Sequence, residues 1–118
     1  MLLDAVFRNQ GYRTELGPGW SDGGVDLRLY RKDSIGEICT LVQVKRYSPT
    51  NPIRLEAVAA LAAIVDHEKA NRGLFVTTSR FLPGVQKFAE KQIRRISLAN
   101  SADIARWCEE VARRNRKQ

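Results

Sequence analysis

The chain has 118 residues, of which 43% are hydrophobic and 28% charged. That is the balance of a folded globular protein, with length for one real core and hence one site. No apolar run approaches the roughly 20 residues needed to cross a bilayer, and the first residues lack the order of a signal peptide, so a cytoplasmic protein with no membrane partner is expected. Twenty Lys and Arg against 13 Asp and Glu give a net charge of +7 and an isoelectric point near 9.9, a field that draws polyanions and favours nucleic acid as partner. Two cysteines without a CxxC pair, Cys39 and Cys108, and one histidine, His67, offer neither a zinc site nor a disulfide framework. Both thiols read as reduced and structural, and His67 as a surface or capping residue.

Leu2, Leu3, Val6 and Phe7 recur at helical spacing up to Gly11, which predicts a short opening helix. Tyr12 to Leu16 reads as a brief strand, followed by a turn at Gly17-Pro18-Gly19 and a glycine-rich loop, Ser21-Asp22-Gly23-Gly24. Val25, Leu27 and Leu29 alternate with Asp26, Arg28 and Tyr30, the pattern of a strand with one buried face. After a polar turn at Arg31 to Gly36, Ile38 to Tyr47 forms its hairpin partner, with Val42 and Val44 directed one way and Gln43 and Lys45 the other. Asn51-Pro52 is a helix-start signal, predicting a helix to about His67 whose broad apolar surface suits packing on a sheet. Gly73 to Thr78 reads as a central buried strand, Pro83 to Gln92 as a third helix, Ile96 and Leu98 as a last strand, and Ser101 as the cap of a closing helix. The Arg113, Arg114, Arg116, Lys117 cluster that ends the chain reads as a soluble tail. The order α β β β α β α β α implies an antiparallel meander followed by helical crossovers, hence an α/β fold with a mixed sheet flanked by helices.

Asp26 and the pair Gln43 and Lys45 fall on adjacent strands that a hairpin can bring together. A carboxylate and an amide oxygen suit a hard cation such as Mg²⁺, which takes one or two protein carboxylates and keeps several waters. A lysine two residues along the same face can orient or help deprotonate water beside that ion and offset charge growing on a phosphate.

Gly23-Gly24-Val25-Asp26, Gln43-Val44-Lys45-Arg46 and Phe75-Val76-Thr77-Thr78-Ser79, with Phe81 and Phe88-Ala89 behind, resemble the catalytic domain of Mrr-like restriction endonucleases. These form a branch of the PD-(D/E)XK nuclease superfamily in which glutamine commonly replaces the glutamate of the half-motif. The resemblance runs from Gly11 to about Val111; a short QxK element is weak by itself, and the ordered set across three strands is much more specific. It implies a three-layer restriction-endonuclease-like sandwich over residues 1–118, either truncated at the N-terminus or using a substitute there, and a Mg²⁺-dependent DNA endonuclease in which Mn²⁺ can substitute. Asp26 would bind the metal, Gln43 would be the second ligand through its side-chain oxygen, the Val44 carbonyl a further ligand, and Lys45 the catalytic lysine. The Thr77, Thr78 and Ser79 hydroxyls would either contact phosphate or tie the strand end to the next helix, and Arg28 and Arg46 are weaker candidates for DNA contact.

Two departures matter. The family's extra metal-binding glutamate on the first helix would fall just before Met1; Asp4, a turn later, is a candidate substitute, with a helix-dipole role as the alternative. An Asp-Gly turn is missing from Ala99 to Asp103, which affects only a connection. No helix-turn-helix or base-reading module is recognisable, so target choice would rest with a separate domain or protein, and double-strand cleavage would favour a homodimer. A junction resolvase-type nuclease and a non-catalytic DNA- or partner-binding module on the same fold are the competing expectations.

Overall fold

In the computed structural model, described over residues 2–17 and 24–116, the elements are α1 (Leu2–Asn9), β1 (Arg13–Leu16), β2 (Leu27–Lys32), β3 (Glu37–Lys45), α2 (Leu55–His67), β4 (Arg72–Thr77), α3 (Val85–Glu90), β5 (Ile96–Ala99) and α4 (Ser101–Arg116). The element order is the expected one. The Pro18-Gly19 turn and most of the glycine-rich loop lie outside the described residues.

The five strands form one sheet in chain order, β1-β2-β3-β4-β5. β1, β2 and β3 pair antiparallel, and β3, β4 and β5 pair parallel. Each parallel step needs a crossover, supplied by α2 and then α3. Two steps in one direction with the usual right-handed crossing put both helices on the same face. Their cluster holds Leu41, Val58, Leu61, Val65, Phe75, Val85 and Ile96. The opposite face is covered by α1 and α4, with Leu3, Phe7, Leu27, Leu29, Val42, Leu74 and Val76 at the centre and Ile104 and Trp107 packed on the rim. The result is a three-layer α/β sandwich.

A strand covered on both faces has no polar side, and β4 accordingly runs as an almost unbroken buried segment, Gly73 to Thr77. Gly73 serves close packing there, since a Cβ would stand 2.8 Å from Ile96 Cδ1 and 2.9 Å from Val65 Cγ2. Val58, Leu61 and Val65 of α2 are fully buried, each contributing on the order of 1.5–3 kcal/mol.

Three expected boundaries move. α2 begins at Leu55 with Arg54 at its N-cap, not at Asn51-Pro52. The residues between are drawn into extended pairing instead: Ile53 bridges Phe81, with Ile53 N–H donating to Arg80 O (2.8 Å) and Leu82 N–H to Ile53 O (3.0 Å). α3 is shorter than expected, entered through Gly84 at φ 91°, a left-handed conformation that favours glycine. The cap of α4 is Asn100, whose Oδ1 accepts from Ala102 N–H and Asp103 N–H while Asp103 accepts from Asn100 N–H. Ser101 instead donates its hydroxyl to Thr78 O (3.1 Å). No described helix is long and apolar enough to cross a membrane.

Candidate active site

The β2–β3 ladder pairs Leu27 with Val42. Asp26 N–H also donates to Val42 O, at 2.9 Å. Two consecutive residues of one strand therefore face one residue of the other, which is a β-bulge. It explains why strict alternation fails here: Val25 packs with Leu41 and Phe75, whereas Leu27 and Leu29 pack with Val42 on the other face. The expectation of one buried face for Val25, Leu27 and Leu29 is thereby corrected.

The bulge also re-aims Asp26. Its Oδ2 accepts from Val44 N–H at 2.7 Å, so a side chain extends the ladder one step past the point where the β2 backbone leaves it. The carboxylate thus lies against the β3 backbone between Gln43 and Lys45. These two alternate with Val42 and Val44, and so share the α2/α3 face with Leu41, as the period of the strand demands. Gln43 pairs with Phe75 and Lys45 with Thr77 on β4.

Gln43 is only 4% exposed, the one amide among the buried polar residues described. Its side chain enters none of the described hydrogen bonds, and its amide is not among the polar atoms sealed without a partner, which in the described residues are Asn9 Oδ1 alone, so the group stays open to a ligand at the corner. Lys45 is half-buried, joins none of the described ion pairs, and holds Nζ 6.0 Å from the Tyr47 ring centre. Its carbonyl turns toward β4, accepting from Thr77 Oγ1 (2.8 Å) and Thr78 N–H (3.3 Å). Backbone groups alternate along a strand, so the Val44 carbonyl turns the other way, to the side where Asp26 meets Val44 N–H.

Gly17 sets the floor of this corner. Its N–H donates to Asp26 O at 2.9 Å, and a Cβ there would lie 1.8 Å from Val25 O. The Gly17-Pro18-Gly19 run signals a turn, yet the requirement at Gly17 is the close approach of two backbones.

Most of the remaining candidates are engaged by partners of their own. Asp4 is 8% exposed; it accepts from Arg8 (2.9 Å) and from the Thr14 hydroxyl, fastening α1 to β1. Both its oxygens are occupied by those partners. Arg28 donates to both oxygens of Glu68, at 3.1 and 3.2 Å, at the C-cap of α2. Glu68 raises the Arg28 pKa through this hydrogen bond, against the opposing effect of burial. Thr77, Thr78 and Ser79 donate their hydroxyls to the carbonyls of Lys45, Tyr47 and Asn51, each at 2.8 Å. They stitch the β4 end to the segment after β3, where the next helix was the expected anchor. Arg46 is exposed. Burial pushes the Cys39 thiol up, in keeping with a structural role. The bulge, the Arg28–Glu68 pair and the stitching are all long-range, and of the three only the stitching has any mark in the sequence, the absence of acidic residues from the two stretches it joins.

Fit to a divalent cation follows from the donor set. Among the described residues no group of three or more His, Cys, Asp or Glu side chains is placed to hold a metal ion. What the corner offers is one carboxylate, one buried amide and one backbone carbonyl, an all-oxygen set of low charge. That suits a hard ion that retains much of its water.

A helix-covered mixed sheet with an Asp beside a Gln-x-Lys on its central strand belongs to the restriction-endonuclease class of nuclease folds. The comparison with solved structures agrees. AspBHI, a DNA modification-dependent restriction endonuclease, superposes with a TM-score of 0.72 at 22% identity over 93% of this chain and 30% of its own. MspJI, a restriction endonuclease solved with a 27-mer oligonucleotide, gives 0.66 at 26% identity over 90% of this chain and 25% of its own. A protein of unknown function, AF1548, gives 0.66 at 13% identity over 84% and 54%. The chain therefore spans less than a third of the two endonucleases it matches. No curated protein matches in sequence. The Mrr_cat family, restriction endonuclease, matches residues 1–108. The chain belongs to this family, and is a restriction-endonuclease-type nuclease domain.

Proposed function

We propose that the domain is a metal-dependent DNA endonuclease that hydrolyses phosphodiester bonds at the corner formed by Asp26, Gln43 and Lys45. The observation that carries this reading is the bulge, which turns the Asp26 carboxylate onto Val44 N–H, beside the buried residue Gln43, whose amide enters none of the described hydrogen bonds. Asp26, the Gln43 side-chain oxygen and the Val44 carbonyl would hold Mg²⁺, with Mn²⁺ as a substitute. When bound, such an ion supplies Lewis-acid chemistry toward the scissile phosphate. Lys45 orients the attacking water and offsets the charge that develops on the phosphate oxygens, in a half-buried position where that offset is stronger than in bulk water. Asp26, tied to the Val44 backbone, keeps its geometry through turnover.

DNA is the partner that the family and the net charge of +7 favour. Choice of target belongs to other parts of the assembly, because this chain corresponds to a quarter to a third of the enzymes it superposes on. A second reading, a DNA-binding module that keeps the fold without cutting, draws support from the single carboxylate at the corner and from Asp4, whose two oxygens are held by Arg8 and Thr14. Nicking of supercoiled plasmid by the purified chain, with Mg²⁺ and with chelator, decides between them: cleavage that needs the ion and is lost in Lys45→Ala supports the nuclease. DNA binding without cleavage supports the module.

A further inference from the structure

The thirteen acidic residues are unevenly placed. None falls between Ile38 and Leu55, and none between Lys69 and Ala89. The fold brings these two stretches together beyond the ends of β3 and β4. The contacts joining them run in series: Thr77 to Lys45 O, Thr78 to Tyr47 O, Arg80 Nε to Pro49 O, Ser79 to Asn51 O, Ile53 N–H to Arg80 O, and Leu82 N–H to Ile53 O. They make a laced shelf that starts at the proposed catalytic lysine and leads away from it to the head of α2.

Arg54, at the N-cap of α2, and Arg80 are both exposed on this shelf, brought together by the Ile53–Arg80 hydrogen bond of 2.8 Å. Neither joins an ion pair among the described residues. Arg8, Arg13, Arg28, Arg94 and Arg106 each meet a carboxylate within 4 Å; of the arginines that do not, Arg54 and Arg80 are the two that the lacing sets side by side beyond Lys45. The two laced stretches bring no carboxylate of their own, Glu56 in the first turn of α2 being the nearest in the chain to Arg54, and unpaired guanidinium groups on such a surface suit phosphates, whose geometry arginine matches. The shelf is made of backbone, hydroxyls and cations, so it holds a strand without reading bases.

We propose that Arg54 and Arg80 seat the DNA backbone phosphates flanking the one held at Lys45, so that the shelf sets the path of the strand through the site. The proposal rests on the nuclease reading only for the identity of the anion. Its test is binding of a labelled mixed-sequence duplex in chelator, followed by anisotropy at several salt concentrations. Each phosphate contact contributes about 0.9 to the slope of log K against log salt. Arg54→Gln with Arg80→Gln lowers the slope by about 1.8. The Arg80→Lys variant, which loses the Nε bond to Pro49 but keeps the charge, retains the slope, and so separates phosphate contact from loss of lacing. Arg113→Gln with Arg116→Gln, on α4, is the charge-matched control and leaves the slope unchanged. An unchanged slope in the shelf pair, an equal fall in the control pair, or a wild-type chain that binds no DNA overturns the proposal. Plasmid cleavage is scored separately with Mg²⁺. Cleavage with an unaltered shelf slope leaves the nuclease reading standing and the shelf refuted; a lowered slope in a chain that never cuts does the reverse.

Discussion

Asp26 carries two duties on one carboxylate, and two substitutions separate them. The charged hydrogen bond from Val44 N–H, 2.7 Å long and partly buried, is of the kind that contributes about 1.5–3 kcal/mol, against about 1 kcal/mol for a neutral one. Asp26→Asn keeps an oxygen that can accept from Val44 N–H and removes only the charge, so it should destabilise the metal-free chain by about 1 kcal/mol or less. Asp26→Ala leaves Val44 N–H to whatever water reaches it and should cost about 1–3 kcal/mol. For a chain of this size that corresponds to a fall in Tm of roughly 3–12 °C. Both variants should lose Mg²⁺ binding and cleavage, because each removes the carboxylate charge at the corner. Thermal unfolding by circular dichroism in chelator reads the first effect, and calorimetric Mg²⁺ titration with plasmid nicking reads the second. An alanine variant as stable as wild type would refute the structural role of the bulge contact. An asparagine variant that cuts as wild type does would refute the metal-ligand role.

Lys45→Ala should abolish cleavage while leaving Mg²⁺ affinity and fold nearly unchanged, since its effect is made as charge develops; single-turnover kinetics beside a metal titration checks this. Gln43→Glu should tighten Mg²⁺ binding by adding a second carboxylate, measurable by calorimetry whatever happens to turnover. Gly17→Ala sets a Cβ at 1.8 Å from Val25 O, so it should destabilise by about 3 kcal/mol or more and displace Asp26, seen as a loss of both Tm and cleavage that a distant surface Gly→Ala change would not produce. Burial raises the Cys39 pKa, so the folded chain holds that proton more tightly than the unfolded chain. The resulting stability is complete below the ordinary thiol pKa and is lost as pH rises through the folded value; alkylation of Cys39 should likewise be slower in the native chain than in urea.

Much of this molecule is legible along the chain because its signals are local. Periodicity marks every helix and strand in order, since a helix must bury one stripe and a strand one or both faces wherever it ends up. The Gln-x-Lys spacing placed Gln43 and Lys45 on one face for the same reason, and the sheet keeps them there opposite Phe75 and Thr77. The ends of elements were less legible. Asn51-Pro52 carries a helix-start signal, yet Ile53 gains more by pairing with the segment after β4, a partner 28 residues away. The fates of Asp4, Arg28 and the Thr77 to Ser79 hydroxyls were equally out of reach, because each was decided by a group that only folding brings near: Thr14, Glu68 and the carbonyls of the β3 end. The position of Asp26 shows the division most clearly. Its residue type and neighbourhood in the chain mark it as a ligand candidate, but strict alternation would have aimed it by period alone. A one-residue slip against Val42, held by Gly17 and the Val44 amide, is what turns its carboxylate to the β3 backbone. A slip of register is a property of two strands together, so it has no signature in either one.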